Sequence, residues 1–259
     1  MARSQLVDDE LWELVKPLLP DHAPQRTGRP RVSDRTAFTA IVFVLVTGVP
    51  WRMVPRQIGC SGVTAWWRLR EWQRAGVWER LHRELLRRLN AAGRIDWSQG
   101  VVDSSRIRAL RGGLTGSSPV DRARAGSKHH LLVDAAGVLL AVALTGGNRN
   151  DITQLLPLVD GITPVAGKVE RPRQRPDRGY DHDSYRCVLW RRGVKPIITR
   201  RGTEHGSGLG RWRWVVEHTF AWLHNYRRLR IRWERDPVVH MAFLTFACAL
   251  ICRRYLRGF

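Results

Sequence analysis

The 259-residue chain is expected to fold as an α/β protein, with an all-α helical module over residues 1–95 and an α/β domain over residues 96–259. Three observations carry that expectation. Residues 8–92 place apolar side chains at helical spacing, interrupted by Pro and Gly. After Gly93 short apolar runs bounded by Gly, Ser and Asp alternate with helical stretches. Apolar residues make up 43% of the chain, enough for a packed core despite a formal charge of +21.

The elements follow in order. Asp8, Asp9 and Glu10 precede Leu11, Trp12, Leu14, Val15 and Leu18, and acids at a helix start suit its dipole; Pro17 and Pro20 end that helix. Residues 21–33 form a polar linker. Asp34 is expected to cap a helix over Thr36–Thr47, stopped by Gly48 and Pro50. Ser61 caps a helix over Val63–Ala75, and a fourth runs over Val77–Ala92. Beyond Gly93, Gly100–Ser105 predicts a short strand ending at an acid, and residues 111–127 predict a loop rich in Gly, Ser and Arg. His130–Val133 and Val138–Leu144, separated by Asp134-Ala135-Ala136-Gly137, predict a hairpin. A short helix at Asp151–Val159, a strand at Lys195–Thr199 and helices at Arg211–Arg230 and Pro237–Arg254 complete the reading.

Charge narrows the function. Residues 1–100 hold 16 basic and 10 acidic residues, and residues 101–259 hold 28 and 13, so +15 of the +21 lies in the second part. Forty of the 44 cations are Arg, whose planar fork binds phosphate bidentately. A folded chain with this balance points to a polyanion, most simply nucleic acid, rather than a membrane surface. The N-terminal residues lack a signal-peptide core, and the apolar runs Ala37–Val46 and Met241–Cys252 are short for a bilayer span. The four Cys form no CxxC pair, and Cys248 and Cys252 lie one helical turn apart in an apolar run, so buried thiols and a cytoplasmic location are expected.

Within the helical module, Thr64–Trp72 mixes core aromatics with Arg68 and Arg70, a pattern that fits a helix reading DNA or an ordinary amphipathic helix. Gly28-Arg29-Pro30-Arg31 is short and extended; it suits Arg29 and Arg31 entering a minor groove, or a plain linker. In the second part three acids stand out: Asp103 in Val-Val-Asp-Ser-Ser, Asp177 in Asp-Arg-Gly-Tyr-Asp, and Glu217 in Arg213-Trp214-Val215-Val216-Glu217. Carboxylates converging in a basic surface are the donor set for Mg²⁺ or Mn²⁺, and two such ions about 4 Å apart serve phosphodiester chemistry.

These blocks, with Thr47–Arg52, Trp72–Trp78, Gly126–His130 and Thr145–Asp151, resemble the IS5 family of bacterial insertion-sequence transposases, of the DDE type. The similarity runs in order through nearly the whole chain. It implies a ribonuclease H-like mixed sheet flanked by helices, with Asp103, Asp177 and Glu217 as catalytic and metal-binding acids for two Mg²⁺ ions, Mn²⁺ being an alternative. Related transposases often place Tyr, Arg, Glu and Lys around the third acid; here those positions hold Gly210, Arg213, Glu217 and His224, so Arg213 and Glu217 match and the outer two do not. Arg213, one turn before Glu217, can orient the carboxylate or hold a phosphate, and protonated His224 can contact one. Arg200 and Arg201 open a glycine-rich loop, through Gly206 and Gly208, that is expected to close over DNA.

One segment departs from the pattern. The strand expected before Asp177 falls on Val169–Pro176, where Arg and Pro occupy five of the six positions 171–176, a poor central strand. The expected function is metal-dependent cleavage and strand transfer on double-stranded DNA, at terminal inverted repeats and target sites, by a homodimer or larger assembly at the bacterial nucleoid. Two alternatives share the same residues: an inactive relic that only binds DNA, with Asp177 displaced, and a ribonuclease H-like nuclease that cuts without joining.

Overall fold

The structure is a computed structural model that describes residues 6–22, 30–119, 121–165, 173–176, 182–196 and 210–258, with side chains for all of these except 173–176 and 210–213. Four helices come first: α1 (Asp9–Val15), α2 (Asp34–Thr47), α3 (Gly62–Arg74) and α4 (Val77–Ala91). Their ends follow from local chemistry. Asp8 caps α1, its carboxylate accepting from Leu11 N at 2.8 Å, and Ser61 caps α3, accepting from Thr64 N at 3.1 Å. Ser33, not Asp34, caps α2, accepting from Thr36 N; Asp34 is already helical. Gly48 ends α2 at φ +73°, and a Cβ there would also meet the Arg227 backbone at 3.1 Å.

A mixed sheet follows. β1 (Gln99–Ala109) pairs antiparallel with β3 (Ala125–Asp134), which pairs antiparallel with β4 (Leu139–Gly146) and, at its start, with the short β2 (Gly116–Ser117). On its other edge β1 runs parallel to β5 (Arg173–Pro176) over residues 99–102, and to β6 (Ile231–Arg232) at residues 108–109. This mixed sheet with its preceding helices bears out the expected class. Helix α5 (Leu155–Asp160) packs on the β3–β4 hairpin and α6 (Asp183–Arg191) on α5; α7 (Gly210–Asn225) lies on β1 and β3, and α8 (Pro237–Arg257) closes the fold.

Two expectations are corrected here. The Arg- and Pro-rich segment does form a strand: β5 adds to β1 and ends at Pro176. Among the described residues it is an edge strand, so half of its backbone groups face away from the ladder, and a Pro at the last position removes no bond the sheet requires. Second, the short strand expected to end at Asp103 continues six residues further, to Ala109.

The expected boundary near residue 95 divides the sequence but not the core. The Phe246 ring of α8 lies 4.6 Å from Trp78 and 5.4 Å from Phe38, and Phe243 stacks on Trp51 at 5.5 Å. All of these rings except Trp51 are fully buried. At the far end of α8, Arg253 binds Asp8 at 2.7 Å and Glu10 at 2.9 Å, so the acids that start α1 serve an ion pair as well as the helix dipole. By length and apolarity alone α8 is long enough to cross a membrane, but 72% of its most apolar window is buried inside the protein. Cys248 and Cys252 are buried free thiols, as expected, and burial pushes both up from the ordinary thiol range.

Candidate active site

Asp103 sits at a break in the sheet. The β1–β5 pairing ends at Val102↔Pro176, and β6 takes up the same edge of β1 only at Arg108. Among the described residues the edge from Asp103 to Ile107 carries no strand. An opening beside the carboxyl end of a parallel strand is where α/β sheets place their ligands. Asp103 is half-buried there, and its Oδ1 accepts from Ser104 N at 2.7 Å.

Side chains alternate along β1, so Asp103, Ser105 and Ile107 share one face of the sheet. Ser105 pairs with His129, and the His129 ring lies 6.0 Å from that of His224 on α7, so α7 covers this same face. Val215, Val216, Thr219, Phe220 and Leu223 turn α7 inward. Thr219 donates to Gly137 O at 3.2 Å and fixes the helix to the β3–β4 turn; a side chain at Gly137, φ +92°, would strike it. Glu217 and His224 are seven residues apart, two turns, and stand on one flank of α7. Glu217 is exposed. Glu217 thus stands on the flank of α7 that carries His224, whose ring lies beside His129 of β3.

Asp177, Arg200, Arg201, Arg29 and the loop through Gly206 and Gly208 lie outside the described residues, as does the side chain of Arg213. Most of the expected strand at Lys195–Thr199 falls there too; only Lys195 and Pro196 of it are described, Pro196 in an isolated bridge. Among the described residues no three His, Cys, Asp or Glu side chains gather to hold a metal.

Other expected contacts change on inspection. Arg68 is 5% exposed, its guanidinium 3.3 Å from Glu71 and 3.7 Å from Asp34. A guanidinium packed between two carboxylates does not reach a DNA groove, and Arg68 is a structural residue of the helical core. Arg70 is 3.2 Å from Asp236 and lies over the Trp66 and Trp67 rings at 5.4 and 5.5 Å, so it ties α3 to the start of α8. His224 is corrected as well: burial lowers its pKa, with Arg230 adding to the shift, and its Nε2 is buried without a hydrogen-bond partner. A neutral imidazole is a poor phosphate ligand at pH 7. Arg31 remains exposed, near His22 and 3.3 Å from Glu71.

The sheet also joins motifs that are separate in sequence. On the face opposite Asp103, Lys128 Nζ lies 2.8 Å from Asp151, and His130 Nε2 lies 2.7 Å from Thr145 Oγ1. The Gly126–His130 and Thr145–Asp151 blocks thus form one cluster, a meeting that the expected hairpin over 130–144 foreshadows. A second network was not foreseen. Arg228 Nε donates to the buried Glu234 at 2.7 Å, Glu234 lies 3.5 Å from His240, and His240 meets His129 at 2.9 Å. Burial alone would raise the Glu234 pKa, but the His240 and Arg228 contacts outweigh it and hold the group below its usual value. Burial keeps His240 and His129 neutral. The spacing of these residues over 129–240 leaves no local signal.

Two family models match the chain. One, described as "Putative transposase of IS4/5 family", covers residues 7–82; the other, "Transposase DDE domain", covers residues 98–252. The chain is 57% identical over 162 residues to the "Putative transposase for insertion sequence element IS402" of Burkholderia cepacia, covering 61% of this chain and 75% of that protein. It is 27% identical over 135 residues to the "Putative transposase for insertion sequence element IS6501" of Brucella ovis, covering 49% of this chain and 98% of that protein. Among solved structures, a pre-cleavage Mos1 transpososome matches with a TM-score of 0.30 and 11% identity over 94% of this chain and 85% of that one. The Mos1 transposase paired-end complex with left transposon end matches with a TM-score of 0.30 and 12% identity, over 96% and 84%. A TM-score of 0.30 assigns neither site nor mechanism.

Proposed function

The chain belongs to the IS4/5 family of insertion-sequence transposases and carries a transposase DDE domain, and from that premise we propose that Asp103, Asp177 and Glu217 form one site for phosphodiester cleavage and strand transfer. The register of β1 and β5 carries the reading. Their parallel pairing runs to Val102↔Pro176, and the next residues of the two segments are Asp103 and Asp177. A register continued by one step would bring these two acids side by side, which is the ground of the proposal. Glu217 would join them from α7, the helix that packs on β1.

The donor set fits a hard divalent cation: carboxylate oxygens at the open edge of a sheet, in a strongly basic chain. Asp103, Asp177 and Glu217 would hold Mg²⁺ or Mn²⁺ there, which when bound supplies charge stabilisation for in-line displacement at phosphorus. The other roles belong to the chain's own residues. The Ser104 N–H donates to one Asp103 oxygen and so helps orient the carboxylate at the strand edge. Arg213, one turn before Glu217, orients that acid or holds a phosphate oxygen. Arg200 and Arg201 add charge from the loop that leads into α7. The N-terminal helices, with Arg29 and Arg31 preceding α2, contact the terminal inverted repeats, and two copies act together because two ends must be joined.

The test is Asp103→Asn, nearly isosteric and uncharged, in the full chain with Mg²⁺ and duplexes carrying the element's ends. The wild type cuts and joins; the variant binds the ends unchanged while cutting falls about 10³-fold, the equivalent of several kcal/mol of transition-state stabilisation. Cutting by the variant at the wild-type rate refutes the assignment. Cutting without joining by the wild type identifies a nuclease, and binding without cutting identifies a relic.

A further inference from the structure

The sheet carries a second basic feature, on the face opposite Asp103. By the alternation of β1, Arg106 and Arg108 project away from the Asp103 face. They line a cavity of about 480 Å³ with Ala109, Leu110, Asp121, Arg124 and Ala125. The cavity is built by the turn between β2 and β3. Arg106 crosses β3 over Gly126, where a Cβ would stand 2.9 Å from its Nε. It then pairs with Asp121 and donates from Nη2 to Arg124 O at 2.6 Å. Ser118 N donates to Arg124 O at 3.1 Å, Arg124 N to Asp121 O at 2.9 Å, and Asp121 N to Ser118 Oγ at 3.1 Å.

This clamp sustains an unfavourable backbone. Arg122 and Ala123 both adopt left-handed conformations, φ 45° and 56°, which crowd the Cβ of an L residue against its own backbone. Strain held in place by a fixed set of bonds is a mark of a preorganised surface. The charges sort themselves accordingly. Asp121 neutralises Arg106, while Arg108 and Arg124 stay exposed at the rim, and among the described residues neither forms an ion pair with a carboxylate. The cavity therefore keeps a net charge of +2 from two guanidinium forks that line it together, a pairing of groups suited to a phosphate.

We propose that this cavity is a second DNA-backbone site: Arg108 and Arg124 bind a phosphate of duplex DNA on the sheet face away from Asp103, with Arg106 as the positioning residue that holds the turn. The proposal rests on the reading of the chain as a DNA-acting transposase. It gives the protein a grip on a DNA segment other than the one being cut, read through charge and not through sequence.

The test measures binding of the full chain to a short duplex of arbitrary sequence, without divalent metal, by fluorescence anisotropy across a range of salt. Each lost phosphate contact removes about 0.9 from the slope of log affinity against log salt, so Arg108→Ala with Arg124→Ala, which removes the one phosphate contact, lowers the slope by about 0.9. The Arg108→Lys, Arg124→Lys chain retains most of the slope, because charge sets it. Equal circular dichroism and melting curves confirm that the variants fold. An unchanged slope in the doubly substituted Ala variant, with the wild type binding DNA, overturns the second site alone. A wild type without salt-dependent binding overturns it together with the DNA-acting reading.

Discussion

Replacing Phe246 by Ala tests whether the two halves of the sequence share one core. The side chain is fully buried on α8 and touches Trp78 at 4.6 Å and Phe38 at 5.4 Å, both from the N-terminal helices. Truncating a buried Phe costs about 3–5 kcal/mol, and the two ring pairs place this site in the upper part of that range. A loss of about 4 kcal/mol is close to a 10³-fold rise in the opening equilibrium. The assay is native-state hydrogen exchange by mass spectrometry, comparing α2 peptides with β3 peptides. The expected result is that both lose protection by the same factor, although the substitution lies in the last helix. If α2 keeps its wild-type protection while β3 loses its own, the N-terminal helices fold separately and the single-core reading fails. Phe246→Leu, costing about 1–2 kcal/mol, gives the same comparison should the Ala variant not fold.

Two further outcomes follow from buried charge. Arg228→Ala leaves Glu234, whose side chain is 3% exposed, without its guanidinium; unfolding free energy from urea titration falls by about 3–5 kcal/mol, and a loss under about 1 kcal/mol shows that the pair is not structural. Asp134 is buried, and burial raises its pKa to about 6 despite hydrogen bonds from Asp96, Val138 and Ala136 N–H groups. The folded state thus binds the proton more tightly than the unfolded chain, so this group's contribution is full below about pH 4 and is lost as pH rises through about 6, by up to roughly 3 kcal/mol. The stability difference between wild type and Asp134→Asn should shrink across that window; a difference constant from pH 4 to 7 shows that Asp134 does not titrate there.

The helical ends were legible because they are local: Ser61 before an apolar run, Gly48 after one, and the Asp134–Gly137 turn between two strands all act within a few residues. The sequence nominates the three acids because each sits in a short motif in a fixed order. The length of β1 was hidden, since Ser104, Ser105, Arg106 and Arg108 give no alternation of apolar residues where the partner strands thin out. β5 was hidden for a related reason: an edge strand is held through its backbone, and side-chain pattern is a poor guide to it. The fate of Arg68, Arg228 and Arg232 was beyond reach, because each is decided by partners brought in from elsewhere. Arg232 is fully buried, donating to Ser127 Oγ at 2.7 Å and Leu114 O at 2.9 Å. Some of the +21 is therefore internal scaffolding, and the phosphate-facing share is smaller than the composition suggests.

The seat of α8 among the N-terminal helices has a consequence for synthesis. Between the end of α2 at Thr47 and the start of α8 at Pro237 the ribosome needs on the order of 10–40 s at 5–20 residues per second. Until then Phe38 and Trp78 have no Phe246 to cover them, and the nascent helices present an aromatic surface that invites chaperones. A chain released before α8 lacks a lid for its first helices and is a substrate for proteolysis.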